Sequence, residues 1–179
     1  MNRIVALIPS LEQHFAALSL TPEIYRPRAC PHCGVSRPWR HGCYFRKADR
    51  SPSRCVRLNP VPIPRFRCGA CRRTCSRLPS CIAPRRWYDW AMQQAVLLLL
   101  LTGASLNAVS LVSQPCRQTV GRWWKWLSVR GEDFAFHLRS RFPELGRAPD
   151  RTAFWRACLE RIPLSEAMTW IERDGVIVP

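Results

Sequence analysis

Two Cys-x-x-Cys pairs, Cys30-Pro-His-Cys33-Gly and Cys68-Gly-Ala-Cys71-Arg, constrain this chain more than any other feature. A Cys-x-x-Cys in a tight turn aims both sulfurs at one point, and two such knuckles on adjacent hairpins supply the four ligands of a closed tetrahedral zinc site. Gly34 and Gly69 are expected to provide the backbone freedom of the turns. Two unrelated pairs, or a redox motif, are the competing readings. A redox pair calls for a βαβ context and a helix starting at the second cysteine, whereas Pro- and Arg-rich extended sequence surrounds both pairs here. The expected cofactor is one structural Zn2+ held by Cys30, Cys33, Cys68 and Cys71.

The chain has ten cysteines. Cys43, Cys55, Cys75, Cys81, Cys116 and Cys158 read as small buried hydrophobes or surface thiols. A second zinc using Cys75 and Cys81 is the weaker alternative, as is His32 or His41 replacing a thiolate. The start shows no secretion signal, because the apolar piece Ile4–Pro9 ends before Glu12. The longest apolar run, Ala95–Leu101, is far short of the roughly 20 residues that span a bilayer. These observations predict a cytoplasmic, nucleoid-associated protein in which reduced thiols bind metal rather than form disulfides.

The formal charge is +16, and Lys47 and Lys125 are the only lysines. A GC-rich coding bias accounts for some of the arginine but not for its placement. Only Glu12, Glu23, Asp49 and Asp89 are acidic before Gly131, whereas eight acidic residues follow it and balance the basic ones. A basic body with a neutral tail is the footprint of a polyanion binder, and arginine forks onto phosphate and guanine better than lysine does.

The organisation reads as α+β, mostly α. Residues 1–25 are a lead-in, with Leu7, Leu11, Phe15 and Leu18 at helical spacing. Residues 26–82 form a zinc ribbon of short antiparallel β. Within it Trp39–Arg46 alternates as a strand, and Val61–Cys68 is confined by Pro62 and Pro64 to an edge strand or extended arm. A basic loop, 47–60, lies between them. Residues 83–130 hold three helices, and residues 131–179 are a helical tail with segments near 132–142, 151–161 and 165–173. Gly131 marks the boundary.

The three helices are expected at Arg86–Thr102, at Ser105–Val112 with Ser105 as N-cap, and at Pro115–Leu127 with Pro115 in the first position. This is a helix-turn-helix. On the third helix Val120, Trp123, Trp124 and Leu127 form the core side, while Arg117, Gln118, Gly121, Arg122 and Lys125 share a separate polar arc. Such an arc suits the major groove: Arg117 or Arg122 could pair with guanine, Gln118 with adenine and Lys125 with phosphate. An ordinary solvated face is the bland alternative; the lack of acidic residues over 91–130 weighs against it. In the ribbon Trp39, Tyr44, Phe45 and Phe66 could stack on bases, but a small metal domain needs aromatic packing and most are expected in the core. The arginines beside the second knuckle, Arg65, Arg67, Arg72 and Arg73, are candidates for phosphate contacts.

CPHCG…WRHGCYFR, then IPRFRCGACRRTCSRLP, then a helical stretch ending in TVGRWWKWL, resembles the N-terminal region of insertion-sequence transposases. It is also similar to short bacterial proteins with a transposase-like zinc-ribbon domain of unknown function. The resemblance covers roughly residues 28–127. It implies zinc at Cys30, Cys33, Cys68 and Cys71, and recognition of element ends by the helix bearing Arg117, Gln118 and Arg122. Cys75 and Cys43 depart from the usual aromatic and small residues. Transposase chemistry needs carboxylates converging on divalent metal, and the acidic residues after Arg130 read instead as solvated helix faces beside arginines. The expectation is therefore a sequence-specific duplex-DNA-binding protein and not an enzyme, with no membrane partner. A separate catalytic transposase subunit and a homodimer are compatible partners. An operator-binding transcriptional regulator is the runner-up, and an RNA-binding ribbon is a further alternative.

Overall fold

The computed structural model describes residues 4–47, 60–84, 88–176 and 178. Cys55, Arg86 and most of the basic 47–60 loop lie outside the described residues. The chain is α+β and divides into two compact units, Met1–Asp89 and Trp90–Pro179.

The first unit opens with β1 (Ile4–Val5) and α1 (Leu11–Leu20). Ser10 caps α1, its hydroxyl accepting from the Gln13 amide at 3.2 Å, which satisfies one of the four amides a helix start leaves unpaired. Leu7 precedes the helix and is exposed; the buried residue of α1 is His14. A three-stranded antiparallel sheet follows, β2 (Trp39–Arg46), β3 (Val61–Arg67) and β4 (Thr74–Ser76), with β3 in the centre. β5 (Leu78–Pro79) pairs in parallel with β1.

The central position of β3 corrects the edge-strand expectation, and the register explains how two prolines are tolerated there. β4 pairs only with Arg65–Arg67, so Pro62 and Pro64 lie where β3 has β2 alone as a neighbour, and their missing amides interrupt no second ladder. β3 is covered on both faces. Phe66 packs with Val5, Ile8, Tyr25 and Cys75, while Val61 and Ile63 pack with Leu78 and Ile82.

The second unit is helical: α2 (Trp90–Leu101), α3 (Leu106–Val112), α4 (Arg117–Arg141), α5 (Arg151–Arg161) and α6 (Leu164–Arg173). α2 begins at Trp90, and Gly103 closes it at φ +95°. Ser105 caps α3 as expected, its hydroxyl accepting from Ala108 N at 3.1 Å. Cys116 rather than Pro115 is the N-cap of α4, so the proline sits outside the helix instead of opening it.

α4 does not end near Leu127. It continues for 25 residues, about 37 Å at the usual rise, and takes in the segment expected as a separate helix at 132–142. Gly131 is an interior contact point and not a break. It is buried, and its carbonyl accepts from the Trp155 indole at 3.2 Å. A Cβ there would lie 3.0 Å from Trp155 Nε1, so any larger residue would press on the buried indole. The buried arc of Val120, Trp123 and Leu127 runs on through Gly131, Phe134, Ala135 and Leu138.

α5 and α6 match the expected tail helices and pack on α2 and α4 through Phe154, Trp155, Leu159, Ala167, Met168 and Ile171. Gln94 on α2 ties them together. Its amide donates to Leu159 O at 2.6 Å and its carbonyl accepts from Leu164 N at 2.7 Å, which satisfies the end of one helix and the start of the next.

Candidate metal centre and basic helix face

The two cysteine pairs fold into the same knuckle. In the first, Gly34 N donates to Cys30 O at 2.9 Å and Cys30 N to Val35 O at 2.8 Å. In the second, Arg72 N donates to Cys68 O and Cys68 N to Arg73 O, both at 3.0 Å. The fifth residue of each motif is left-handed, Gly34 at φ +75° and Arg72 at φ +58°. This corrects the expectation for Gly69, whose φ is not positive. Arg72 takes the turn's strained position, at a cost of order 1–2 kcal/mol for a side-chain-bearing residue.

The knuckles bring Cys30, Cys33, Cys68 and Cys71 together, with their sulfurs all within 4.8 Å of one another. Cys30 Sγ lies 3.6 Å from Cys71 Sγ, and Cys33 Sγ lies 3.5 Å from Cys68 Sγ. A tetrahedron with metal–sulfur bonds of about 2.3 Å has edges of about 3.8 Å, so the four sulfurs could hold one metal ion and are compatible with a single structural zinc. The His32 amide points at Cys30 Sγ from 3.4 Å, a backbone hydrogen bond of the kind that supports a ligating thiolate. Burial opposes ionisation of Cys30, but the amides of His32 and Cys33 together with the sulfurs of Cys71 and Cys33 outweigh it and draw the thiol down to about 6. At Cys33 the Val35 amide favours the thiolate, but the Cys68 sulfur opposes it and the thiol is pushed up to about 11.

The remaining cysteines and histidines fall elsewhere. Cys75 and Cys158 are buried, and burial pushes both thiols up, Cys158 to about 12. Cys81 is half-buried, and Cys43 and Cys116 are exposed. His32 accepts at Nδ1 from Arg73 at 3.5 Å, and His41 stands edge-on to Trp39 at 5.0 Å; neither joins the sulfur cluster.

The structure adds one buried polar pair that sequence reasoning missed. His14 Nε2 faces Pro62 O at 2.9 Å, and a carbonyl can only accept, so Nε2 carries the proton. Nδ1 is then an acceptor and takes a short hydrogen bond from the Tyr25 hydroxyl. Desolvation lowers the His14 pKa, with the Pro62 carbonyl opposing, and raises that of Tyr25. A histidine inside a helical pattern of Leu and Phe carried no signal of a partner eleven residues on.

In the second unit Arg117, Gln118, Arg122 and Lys125 are all exposed in the first half of α4. Behind them Val120, Trp123 and Leu127 are buried, while Trp124 is half-buried. Gly121 is only half-exposed. A Cβ there would lie 3.8 Å from Leu106 of α3, so the smallest residue of the arc marks where α3 crosses α4. Past Lys125 the exposed stripe continues through Val129, Glu132 and Phe136 and loses its basic character.

In the first unit Arg65, Arg72 and Arg73 are exposed and Arg67 is half-exposed. Phe66 is core and Tyr44 half-buried, but Trp39 and Phe45 are exposed, which corrects the expectation that most ribbon aromatics are core. No helix among the described residues is long and apolar enough to cross a membrane. No family model matches the chain, no curated protein matches it, and no solved structure matches it.

Proposed function

We propose that this is a sequence-specific DNA-binding protein in which a zinc ribbon, closed by Cys30, Cys33, Cys68 and Cys71, accompanies a helix-turn-helix made by α3 and the first half of α4. The observation that carries the reading is the N-terminal half of α4. Arg117, Gln118, Arg122 and Lys125 project from an exposed face whose reverse is buried, on a helix that follows the capped α3 after a short turn. No acidic residue occurs from 91 to 130 to compete with phosphate. Forked donors and an amide on one helix face are the groups that read base edges in a major groove.

The motif order resembles that of insertion-sequence transposases, and the ends of such an element are the proposed target. The protein acts as a binding module and not as the catalyst. Several acidic groups of the second unit support this by their ion pairs with arginine: Asp133 with Arg130 at 3.1 Å, Glu160 with Arg156 at 3.5 Å and Asp174 with Arg141 at 2.7 Å. Selection of genomic fragments by the zinc-loaded chain at near-physiological salt tests the proposal. Enrichment of one repeated end sequence is expected, and Arg122→Ala should weaken binding to it by ~5- to 150-fold, the ~1–3 kcal/mol of a lost bidentate base contact. Selection of an upstream operator instead would move the protein to the regulators. Binding without any preferred sequence would sink the reading.

A further inference from the structure

Gly42 adopts φ +72°, and the pairing of β2 with β3 slips between Arg40 and Cys43. Trp39 and Tyr44 are an odd number of residues apart and would leave an unbroken strand on opposite faces. The extra residue of the bulge reverses this. Trp39 now stands opposite Arg67 and Tyr44 opposite Ile63, so both rings share one face of the sheet with Arg65 and Arg67. At the Ile63 end this face is core, with Tyr44 packed on Val61, Ile63, Leu78 and Ile82, and at the Arg67 end it is open.

We propose that the open end of this face is a stacking platform for single-stranded DNA, in which Trp39 receives a base and Arg65 and Arg67 hold phosphates. Three observations support it. Trp39 is 45% exposed although it is among the largest apolar side chains in the unit. The Arg67 guanidinium lies 6.0 Å from the Trp39 ring and that of Arg65 lies 5.6 Å from the Tyr44 ring. Those are the outer range of cation–π contact, close enough to hold a phosphate beside a stacked base and loose enough to swing aside. From Ile24 to Tyr88 the only acidic residue is Asp49, so the surroundings favour a polyanion.

A single strand fits better than a duplex. Rings projecting from a sheet offer flat faces, and in a duplex each base already has its faces covered by neighbours. This surface belongs to the first unit and does not depend on the α4 reading.

The test is fluorescence anisotropy of a labelled oligothymidylate of ~15 nucleotides, within the size range of sheet-borne single-strand sites, titrated with the zinc-loaded full chain. Trp39→Ala is expected to weaken binding ~5- to 150-fold, by the ~1–3 kcal/mol of one stacked base, while Trp39→Phe keeps most of the affinity. Arg67→Gln should lower the slope of log affinity on log salt by about 0.7, one single-strand phosphate contact. It reads the same surface if the tryptophan variant loses zinc. A wild-type chain that binds the oligothymidylate but selects no duplex sequence would count against the α4 reading alone. The platform is overturned if the wild-type chain does not bind the oligonucleotide. It is equally overturned if Trp39→Ala, with zinc retained, binds it as the wild type does, including the case where that variant instead abolishes self-association through the β2 edge.

Discussion

Replacing Gly131 by alanine tests the most specific packing claim in the second unit, because two effects of opposite sign meet there. Gly131 is inside α4, where alanine is intrinsically favoured by about 1 kcal/mol. Against this, the new Cβ would lie 3.0 Å from Trp155 Nε1 and 3.5 Å from Arg151 Cδ. Arginine can give way at its flexible stem, but the Trp155 indole is fully buried and cannot retreat without disturbing the core. Overpacking of this kind costs about 1–3 kcal/mol. Pushing the indole aside also lengthens its 3.2 Å hydrogen bond to Gly131 O, worth about 0.5–1.5 kcal/mol. The clash and the weakened bond outweigh the propensity gain, and the net effect is a loss of about 1–2 kcal/mol. For a chain of this size that is a fall of about 2–8 °C in melting temperature. Urea unfolding followed by far-UV circular dichroism would measure it. The control is the same change in a Trp155→Phe background, where the crowding atom is gone and alanine should be neutral or stabilising by up to about 1 kcal/mol. Stabilisation by Gly131→Ala in the otherwise unaltered chain would refute the argument and return Gly131 to the status of an accidental helix glycine.

Further outcomes follow from the first unit. Cys68→Ser should abolish stoichiometric zinc, read by elemental analysis of the purified chain; one zinc per chain in that variant would mean the four-sulfur site is wrong. The matching knuckle positions predict opposite responses: Gly34→Ala should lower thermal stability by about 1 kcal/mol, and Arg72→Gly should raise it by a similar amount, since each is left-handed. Equal signs would contradict the shared geometry. His14 is held neutral by burial, so its folded-state pKa lies below the unfolded value of 6.5. Its contribution is therefore complete above that value and is lost as pH falls below it, with a slope of at most about 1.4 kcal/mol per pH unit. Comparing urea midpoints at about pH 7 and about pH 5.5 should show a drop that His14→Asn flattens; an unchanged drop would assign it elsewhere.

The four-cysteine cluster was legible from spacing alone, because two short motifs that each converge on a point leave little freedom once their strands pair. The capped α3, α5 and α6 were legible for a related reason: caps and 3.6-residue periodicity are local properties. So was the exposure of Arg117, Gln118, Arg122 and Lys125. The buried arc of α4 could have been followed past residue 127, since Gly131, Phe134 and Leu138 continue it, but a glycine reads locally as a stop.

Other features depend on atoms far apart in the chain. Gly131 is tolerated because Trp155, twenty-four residues on, occupies the space a Cβ would need. Pro62 and Pro64 sit in a central strand because β4 stops short of them. Trp39 and Tyr44 share a face because one extra residue in β2 shifts the register against β3. Tyr25 and Pro62 hold His14 neutral in the core through two hydrogen bonds that no sequence pattern announces. Sequence by itself settled where donors, charges and the α3 cap occur, because these follow from residue type and short-range spacing. Only tertiary structure settled which glycine is a contact, which aromatic is a surface and which histidine is silent, because each depends on the neighbour that fills or leaves empty the space beside it.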